Sequence, residues 1–143
     1  MGNENKRNCL RLGDEFFKSI LITPEMIDGF AKYSGDHNPV HLDEEFASTT
    51  IFKKRIAHGF LVGSFISAVL GNEFPGNGTI YLSQTMTFHS PVYISDTITV
   101  RVEITEFPSS KRVKLKTVCL NQDNVVVLDG EALIIPPPQV VLM

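Results

Sequence analysis

The segment from Gly59 to Leu70 constrains the fold more than any other part of the chain, because it is apolar or small on nearly every face. A surface helix carries a polar side, so this pattern predicts a helix that is buried. At about 1.5 Å per residue it would run roughly 18 Å, close to the width of several neighbouring strands. The whole apolar stretch to Gly71 is about 13 residues long, whereas a membrane span needs about 20. We therefore expect a central helix covered by other elements of the chain, and no contact with a membrane.

The second half of the chain contains strand patterns that could cover such a helix. Four aliphatic residues alternate strictly with polar ones, as in a strand with one buried face: Ile98, Val100, Val102 and Ile104. Further strands are predicted within residues 10–22, 79–89, 112–120 and 125–135. A change of apolar phase in one of them predicts a bulge near Lys116-Thr117. The sequence therefore predicts an α+β fold, with an antiparallel sheet of five or six strands curled around the central helix.

Length, charge and cysteine content limit the remaining choices. A chain of 143 residues is predicted to form one domain, with a core over about residues 10–135 and a proline-rich tail over 136–143. The net charge of −3 provides no field that would collect nucleic acid. Cys9 and Cys119 are not expected to form a disulfide. The polar residues Met1 to Arg7 are unlike a secretory signal, which predicts a cytoplasmic location, or an organelle if a transit segment has been removed.

A polar loop follows the first predicted helix. That helix is expected over about residues 24–34, because Thr23 can cap it and Pro24 suits its first position. Pro39 disfavours helix for the residue before it, so the segment from Asp36 to His41 is predicted to be a loop. A carboxylate and an imidazole held together by such a turn can bind one water molecule and share the protons of its addition or loss. Alternatively, the aspartate caps the next turn and the histidine lies on the surface.

The residues around this loop resemble a known family. Residues 33–41 read YSGDHNPVH, Phe46-Ala47 follow, and residues 56–61 read IAHGFL. With matching residues over 78–96, the pattern resembles the hydratase motif of the MaoC-like family, which contains (R)-specific enoyl-CoA hydratases and 3-hydroxyacyl-thioester dehydratases. The resemblance extends over about residues 10–135. It implies a hot dog fold, in which a sheet wraps a long helix, and a homodimer or higher oligomer.

The resemblance also implies a role for individual residues. Asp36 and His41 correspond to the catalytic pair, which activates water for syn addition to C3 of a trans-2-enoyl thioester while C2 is protonated. The backbone N–H of Gly59 would face the thioester carbonyl, and the Ser67 hydroxyl would help to hold the catalytic loop. Unpaired N–H groups at the start of a buried helix suit this task, since the reaction builds negative charge on the carbonyl oxygen. The substrate would be an acyl-CoA or acyl-carrier-protein thioester, and no cofactor is implied.

Other polar residues near the motif have two interpretations each. Asn38 is expected to bond the backbone of its own loop. His58 is expected to be structural, although it could face the site, and the exposed-looking His37 is expected to be solvated. A basic run could contact the phosphates of coenzyme A or form plain solvated surface: Lys53, Lys54 and Arg55.

Two aromatic residues, and the histidines and cysteines as possible metal ligands, are the last residues considered for the candidate site. Tyr81 could line the acyl pocket or fill the core, whereas Phe88 is predicted to be core. The four histidines and two cysteines lack the close spacing of metal ligands, so no metal site is expected.

Two other functions stay open at this stage. A hot dog thioesterase would use a carboxylate at the carbonyl carbon, and the loop that carries Asp36 and His41 does not match that use. A non-catalytic acyl-thioester-binding subunit is the third function, and the intact pair argues against it. The sequence leaves open the acyl chain length, the carrier, the pathway, and which member of the pair acts as the base.

Overall fold

The structure, a computed structural model, describes residues 8–143; the prediction made from Met1 to Arg7 lies outside this range. The elements in chain order are β1 (Cys9–Leu10), β2 (Glu15–Leu21), α1 (Pro24–Ser34), α2 (Pro39–Leu42), α3 (Glu44–Ser48), α4 (Gly59–Asn72), β3 (Ile80–Gln84), β4 (Thr87–Phe88), β5 (Thr97–Ser109), β6 (Arg112–Leu120), β7 (Val126–Ile135) and β8 (Val141–Leu142). No helix within residues 8–143 is long and apolar enough to cross a membrane.

The main sheet is antiparallel and has six strands. Its order is β2-β5-β6-β7-β3, and β4 also pairs with β7. This arrangement confirms the predicted α+β fold with a hot dog sheet. A second, two-stranded parallel sheet joins β1 to β8, with Cys9 opposite Val141. The sequence analysis did not predict β8, because two residues after three prolines carry no strand pattern of their own.

The core lies between α4 and the concave face of the sheet. Leu61, Ile66 and Leu70 of α4 share one apolar cluster with the inward residues of β5, which are fully buried. The predicted helix is confirmed, but the expectation that it is buried on nearly every face is wrong for the single chain. Phe60 remains 65 % exposed, and Ser67 is also exposed. The sheet covers one side of the helix, and its other side faces outward.

The bulge predicted near Lys116-Thr117 is wrong. β5 and β6 pair without a break from Thr99 opposite Leu120 to Ile104 opposite Leu115. Thr117 keeps the inward phase and is fully buried, and the side-chain amide of Gln84 donates to its hydroxyl oxygen at 2.8 Å. The apparent change of phase therefore comes from one buried, hydrogen-bonded threonine in an otherwise apolar row.

The helices before α4 set the position of the polar loop. α1 begins and ends as predicted: the Thr23 hydroxyl oxygen accepts from the N–H of Met26 at 3.3 Å, and Gly35 ends the helix at φ 79°. The predicted loop is shorter than expected, because α2 starts at Pro39 and includes His41. Pro39 suits the first position of this turn, and the Asn38 side chain caps it by accepting from the N–H of Val40 at 3.2 Å.

Candidate active site

Three polar side chains come together near the start of α4. Asp36 lies in the connection between α1 and α2, His41 lies in α2, and His58 immediately precedes α4. A side-chain oxygen or nitrogen of each lies within 4.8 Å of the others. One water molecule bonds at about 2.8 Å, so it can bridge two atoms up to about 5.6 Å apart. The pair selected from the sequence therefore lies within reach of a single water.

Asp36 is held mainly through its backbone and its own loop. Its N–H donates to the Ser34 hydroxyl oxygen at 3.1 Å, and its Oδ1 accepts from the N–H of Asn38 at 3.2 Å. Its carbonyl oxygen lies 3.1 Å from Nε2 of His58. Oδ2 has no hydrogen-bond partner within residues 8–143, and the residue is exposed. The carboxylate is thus fixed at one oxygen and accessible at the other.

The His41 ring is buried and its tautomer follows from its partner. Nδ1 lies 2.8 Å from the carbonyl oxygen of Ile56. A carbonyl oxygen only accepts, so Nδ1 carries the proton and Nε2 of the neutral ring is an acceptor. Arg55 holds the same residue from behind: its Nε–H donates to the His41 carbonyl oxygen at 2.6 Å, and its Nη2 pairs with Asp28 at 3.1 Å. His41 is therefore set up to accept a proton at Nε2.

His58 lies beneath this pair. Its ring is only 2 % exposed and is packed between Phe30 and His41, with ring centroids 4.8 Å and 3.9 Å away. Burial lowers its pKa, so the ring is neutral at ordinary pH. Nε2 donates to Asp36, and the buried Nδ1 has no partner within residues 8–143. The side chain makes no cap bond to α4.

An apolar cavity of about 380 Å³ opens beside His41 and Gly59. The other walls include Phe52, Val62, Phe88, Val92, Val127 and Leu128. The first N–H groups of a helix have no partner within the helix, so the start of α4 presents donors to this cavity. Gly59 leaves no room for a side chain, because a Cβ there would lie 2.5 Å from Cε1 of Phe88. The backbone of Gly59 thus lines the cavity with the Phe88 ring packed against it.

Three sequence predictions about this region need correction or restatement. Ser67 is exposed, and its hydroxyl forms no hydrogen bond to the loop of Asp36 and His41 within residues 8–143. It lies eight residues after Gly59, which is about 12 Å along the helix. Phe88 is not core but 50 % exposed at the cavity wall, where the two-residue strand β4 pairs with β7. Tyr81 lines a second groove together with Gln84, and the Tyr81 hydroxyl donates to the Gln84 side-chain oxygen. Burial raises the pKa of Tyr81 to about 12.

The basic run before α4 divides into different roles. The Arg55 guanidinium donates hydrogen bonds to the His41 carbonyl oxygen and to the Asp28 carboxylate, so it joins parts of the fold to each other. Lys54 places its ammonium 5.0 Å from the centre of the Tyr93 ring. Lys53 is exposed, with φ 66°. Sequence reasoning missed the Arg55 contact, since nothing local to residues 53–55 indicates a carbonyl in α2.

Asp36, His41 and His58 also form the one cluster within residues 8–143 whose side-chain atoms lie close enough together to hold a metal ion. Their spacing in the sequence did not predict such a cluster. Metal ligands direct their lone pairs at one centre. The rings of His41 and His58 instead stack with only 28° between their planes, so their nitrogens do not point at a common ion. The donor set fits proton transfer and hydrogen bonding better than metal binding.

Comparison with known proteins gives one consistent result. A family model described as a MaoC like domain matches residues 13–126. The chain is 46 % identical over 124 residues to the 3-hydroxybutyryl-CoA dehydratase of Methylorubrum extorquens, over 86 % of this chain and 78 % of that protein. It is 48 % identical over 109 residues to the (R)-specific enoyl-CoA hydratase of Rhodospirillum rubrum, over 76 % and 75 %. The unliganded R-hydratase PhaJ1 of Pseudomonas aeruginosa has a similar fold, with a TM-score of 0.86 and 44 % identity, over 90 % of this chain and 83 % of that one.

Proposed function

Because the chain belongs to the MaoC-like family, we propose that it is a hydro-lyase that adds water to trans-2-enoyl-CoA, giving (R)-3-hydroxyacyl-CoA, and that catalyses the reverse dehydration. One observation carries the proposal: Asp36 and His41 lie within bridging distance of one water, beside an apolar cavity into which the start of a helix opens. Each part answers a need of the reaction, namely a proton carrier, a dry acyl site and a stabilised oxyanion.

In the proposed mechanism the Asp36–His41 pair handles one water molecule. Nε2 of His41 accepts a proton as the water oxygen attacks C3, and Asp36 Oδ2 accepts the other hydrogen bond of that water. The electron pair of the C2–C3 double bond moves toward the thioester oxygen. The proton then returns from the pair to C2, so that the elements of one water are added and the enzyme is restored. Both atoms arrive from the side on which the pair lies, which gives syn addition.

The enolate formed after attack at C3 carries its negative charge on the thioester oxygen. Donors at the start of α4, with Gly59 first, would stabilise that charge. The helix start adds a partial positive charge, and both effects are stronger in an apolar cavity than in water. The acyl chain would lie against the aliphatic walls formed by Val62, Val127 and Leu128.

The proposal extends to a homodimer. α4 and the edge strand β3 leave large apolar side chains exposed: Phe60 is 65 %, Ile80 is 54 % and Leu82 is 41 % exposed. An edge strand next to an apolar helix face is a surface that a second copy can cover. The cytoplasmic location and the extent of the single domain stay predictions from the sequence, which does not choose between coenzyme A and an acyl carrier protein.

An assay with crotonyl-CoA tests the function. We expect the enoyl absorbance to fall without release of free thiol, and chiral analysis of the product to give the (R)-3-hydroxy isomer. Release of free thiol would instead identify a thioesterase. Tight binding without turnover would identify a non-catalytic subunit.

A further inference from the structure

We propose that His58 is a positioning residue, which fixes the catalytic aspartate and the catalytic histidine relative to each other. This inference rests on the proposed function. Within residues 8–143, the side chain of His58 contacts both members of the pair, through a hydrogen bond to the backbone of Asp36 and a ring contact with His41. Asn38 also contacts both members, but through its backbone N–H and carbonyl oxygen. His58 does so from the position directly before Gly59, where the oxyanion site begins.

The hydrogen bond places the loop of Asp36 in the molecule. The other hydrogen bonds of Asp36 go to Ser34 and Asn38, two residues away on either side. Asn38 in turn accepts from the N–H of His41 at 3.0 Å, so these local bonds connect the loop to the backbone of α2 but not to the start of α4. The bond from His58 Nε2 spans 22 residues and ties the loop to the start of α4. Loss of this bond would leave the local hydrogen bonds of the loop intact but would let the Asp36 carboxylate shift relative to the start of α4.

The ring contact acts on the second member of the pair. The rings of His58 and His41 stack at 3.9 Å, so the face of His58 is offered to the imidazolium that forms when His41 accepts a proton. An aromatic face stabilises such a cation. Because its burial disfavours a charged form, His58 adds no second positive charge at this distance.

The unpartnered nitrogen of His58 argues against a purely packing role. Nδ1 is buried and has no hydrogen-bond partner within residues 8–143. A buried polar atom without a partner is unfavourable, and an apolar ring would fill the space between Phe30 and His41 without it. The hydrogen bond from Nε2 to Asp36 and the ring contact with His41 therefore account for an imidazole at this position.

Two substitutions separate positioning from packing. His58→Phe keeps the ring and removes the Nε2 donor, whereas His58→Gln keeps a donor at a similar distance and removes the ring. We expect His58→Phe to lower kcat for crotonyl-CoA by about 100-fold with little change in KM, since a displacement of about 1 Å has effects of this size. His58→Gln should recover part of that loss although it packs less well. The control is His37→Gln, at an exposed loop histidine, which should leave kcat unchanged.

The opposite order of activity would overturn the inference. If His58 only fills space, His58→Phe retains activity and His58→Gln loses it in parallel with its thermal stability, which is measured on the same samples. A second readout does not depend on turnover: nitrogen NMR of the imidazoles should show His58 with its proton on Nε2. A neutral His58 with its proton on Nδ1 would also refute the inference. If the wild-type protein does not hydrate crotonyl-CoA, the proposed function fails, and the NMR result still decides the role of His58.

Discussion

The interior of the sheet and the end of the molecule that holds the proposed catalytic pair are built on different principles. Val100, Val102 and Leu115 are fully buried in one apolar cluster, where each side chain is surrounded by others of the same kind. At the other end, Asp36 and His41 are held by a few individual hydrogen bonds: the Asp36 carbonyl oxygen accepts from Nε2 of His58, and Nδ1 of His41 donates to the carbonyl oxygen of Ile56. In the sheet, many equivalent apolar contacts share the stabilisation of the fold. At the other end, a few specific hydrogen bonds fix the relative positions of Asp36 and His41. Substitutions in the two regions should therefore affect different measurements.

The largest effect should follow Asp36→Asn. Positioned acid–base groups contribute about 10²- to 10⁴-fold, or about 3–5 kcal/mol of barrier, so hydration of crotonyl-CoA should fall by that factor. The asparagine oxygen can still accept from the N–H of Asn38, and the residue is exposed, so the melting temperature should not change. Near-normal turnover of the variant would remove Asp36 from the mechanism.

The corresponding change in the sheet is Leu115→Ala. Truncation of a fully buried leucine should lower the free energy of unfolding by about 2–5 kcal/mol, measured by denaturant titration. The kcat per folded molecule should be retained, because Leu115 belongs to the core cluster and does not line the cavity beside His41. Lys116→Ala, at the exposed neighbour, is the matched control and should change stability by less than about 0.5 kcal/mol. A loss of kcat without loss of stability in Leu115→Ala would contradict the division between the two regions.

Arg55→Met tests a contact that supports the catalytic end from behind. It leaves the His41 carbonyl without its donor and Asp28 without its partner. We expect kcat to fall by about 10-fold and stability to fall by about 1–2 kcal/mol. If Arg55 instead binds the phosphates of coenzyme A, KM would rise with kcat unchanged. Steady-state kinetics on Arg55→Met and on Lys54→Met distinguish the two roles.

The smallest effect should be a pH dependence of stability that comes from His58. Its pKa is lowered in the folded protein from the ordinary 6.5, mainly by burial, so the unfolded chain binds more protons as the pH falls through that range. Stability should be full above about pH 6.5 and decline as the pH falls toward the folded pKa of the residue. The urea midpoint of the wild type should thus drop between about pH 7.5 and about pH 5.5 by more than that of His58→Gln. Equal drops would show that His58 is protonated as easily in the fold as outside it.

Patterns that depend only on neighbouring residues were predictable from the sequence. α1 with its caps, α4 and the strand β5 follow from periodicity and from local chemistry at Thr23 and Gly35. The proposed catalytic residues could be selected because the motif that carries Asp36 and His41 is contiguous, and the structure places them within bridging distance of one water. The failures have a common cause, which is a partner far away in sequence. Thr117 appears out of phase until its contact with Gln84 is known, and β8 has no strand signal until it pairs with β1.

The sequence by itself thus determined the type of fold, the apolar central helix and the pair of residues that can handle a water molecule. Only the tertiary structure decided that Arg55 holds α2 rather than facing solvent, that Ser67 is exposed, and that His58 contacts both members of the proposed pair. The physical reason is range: hydrophobic periodicity and turn chemistry act over a few residues, whereas a hydrogen bond to a distant carbonyl depends on how the elements pack together.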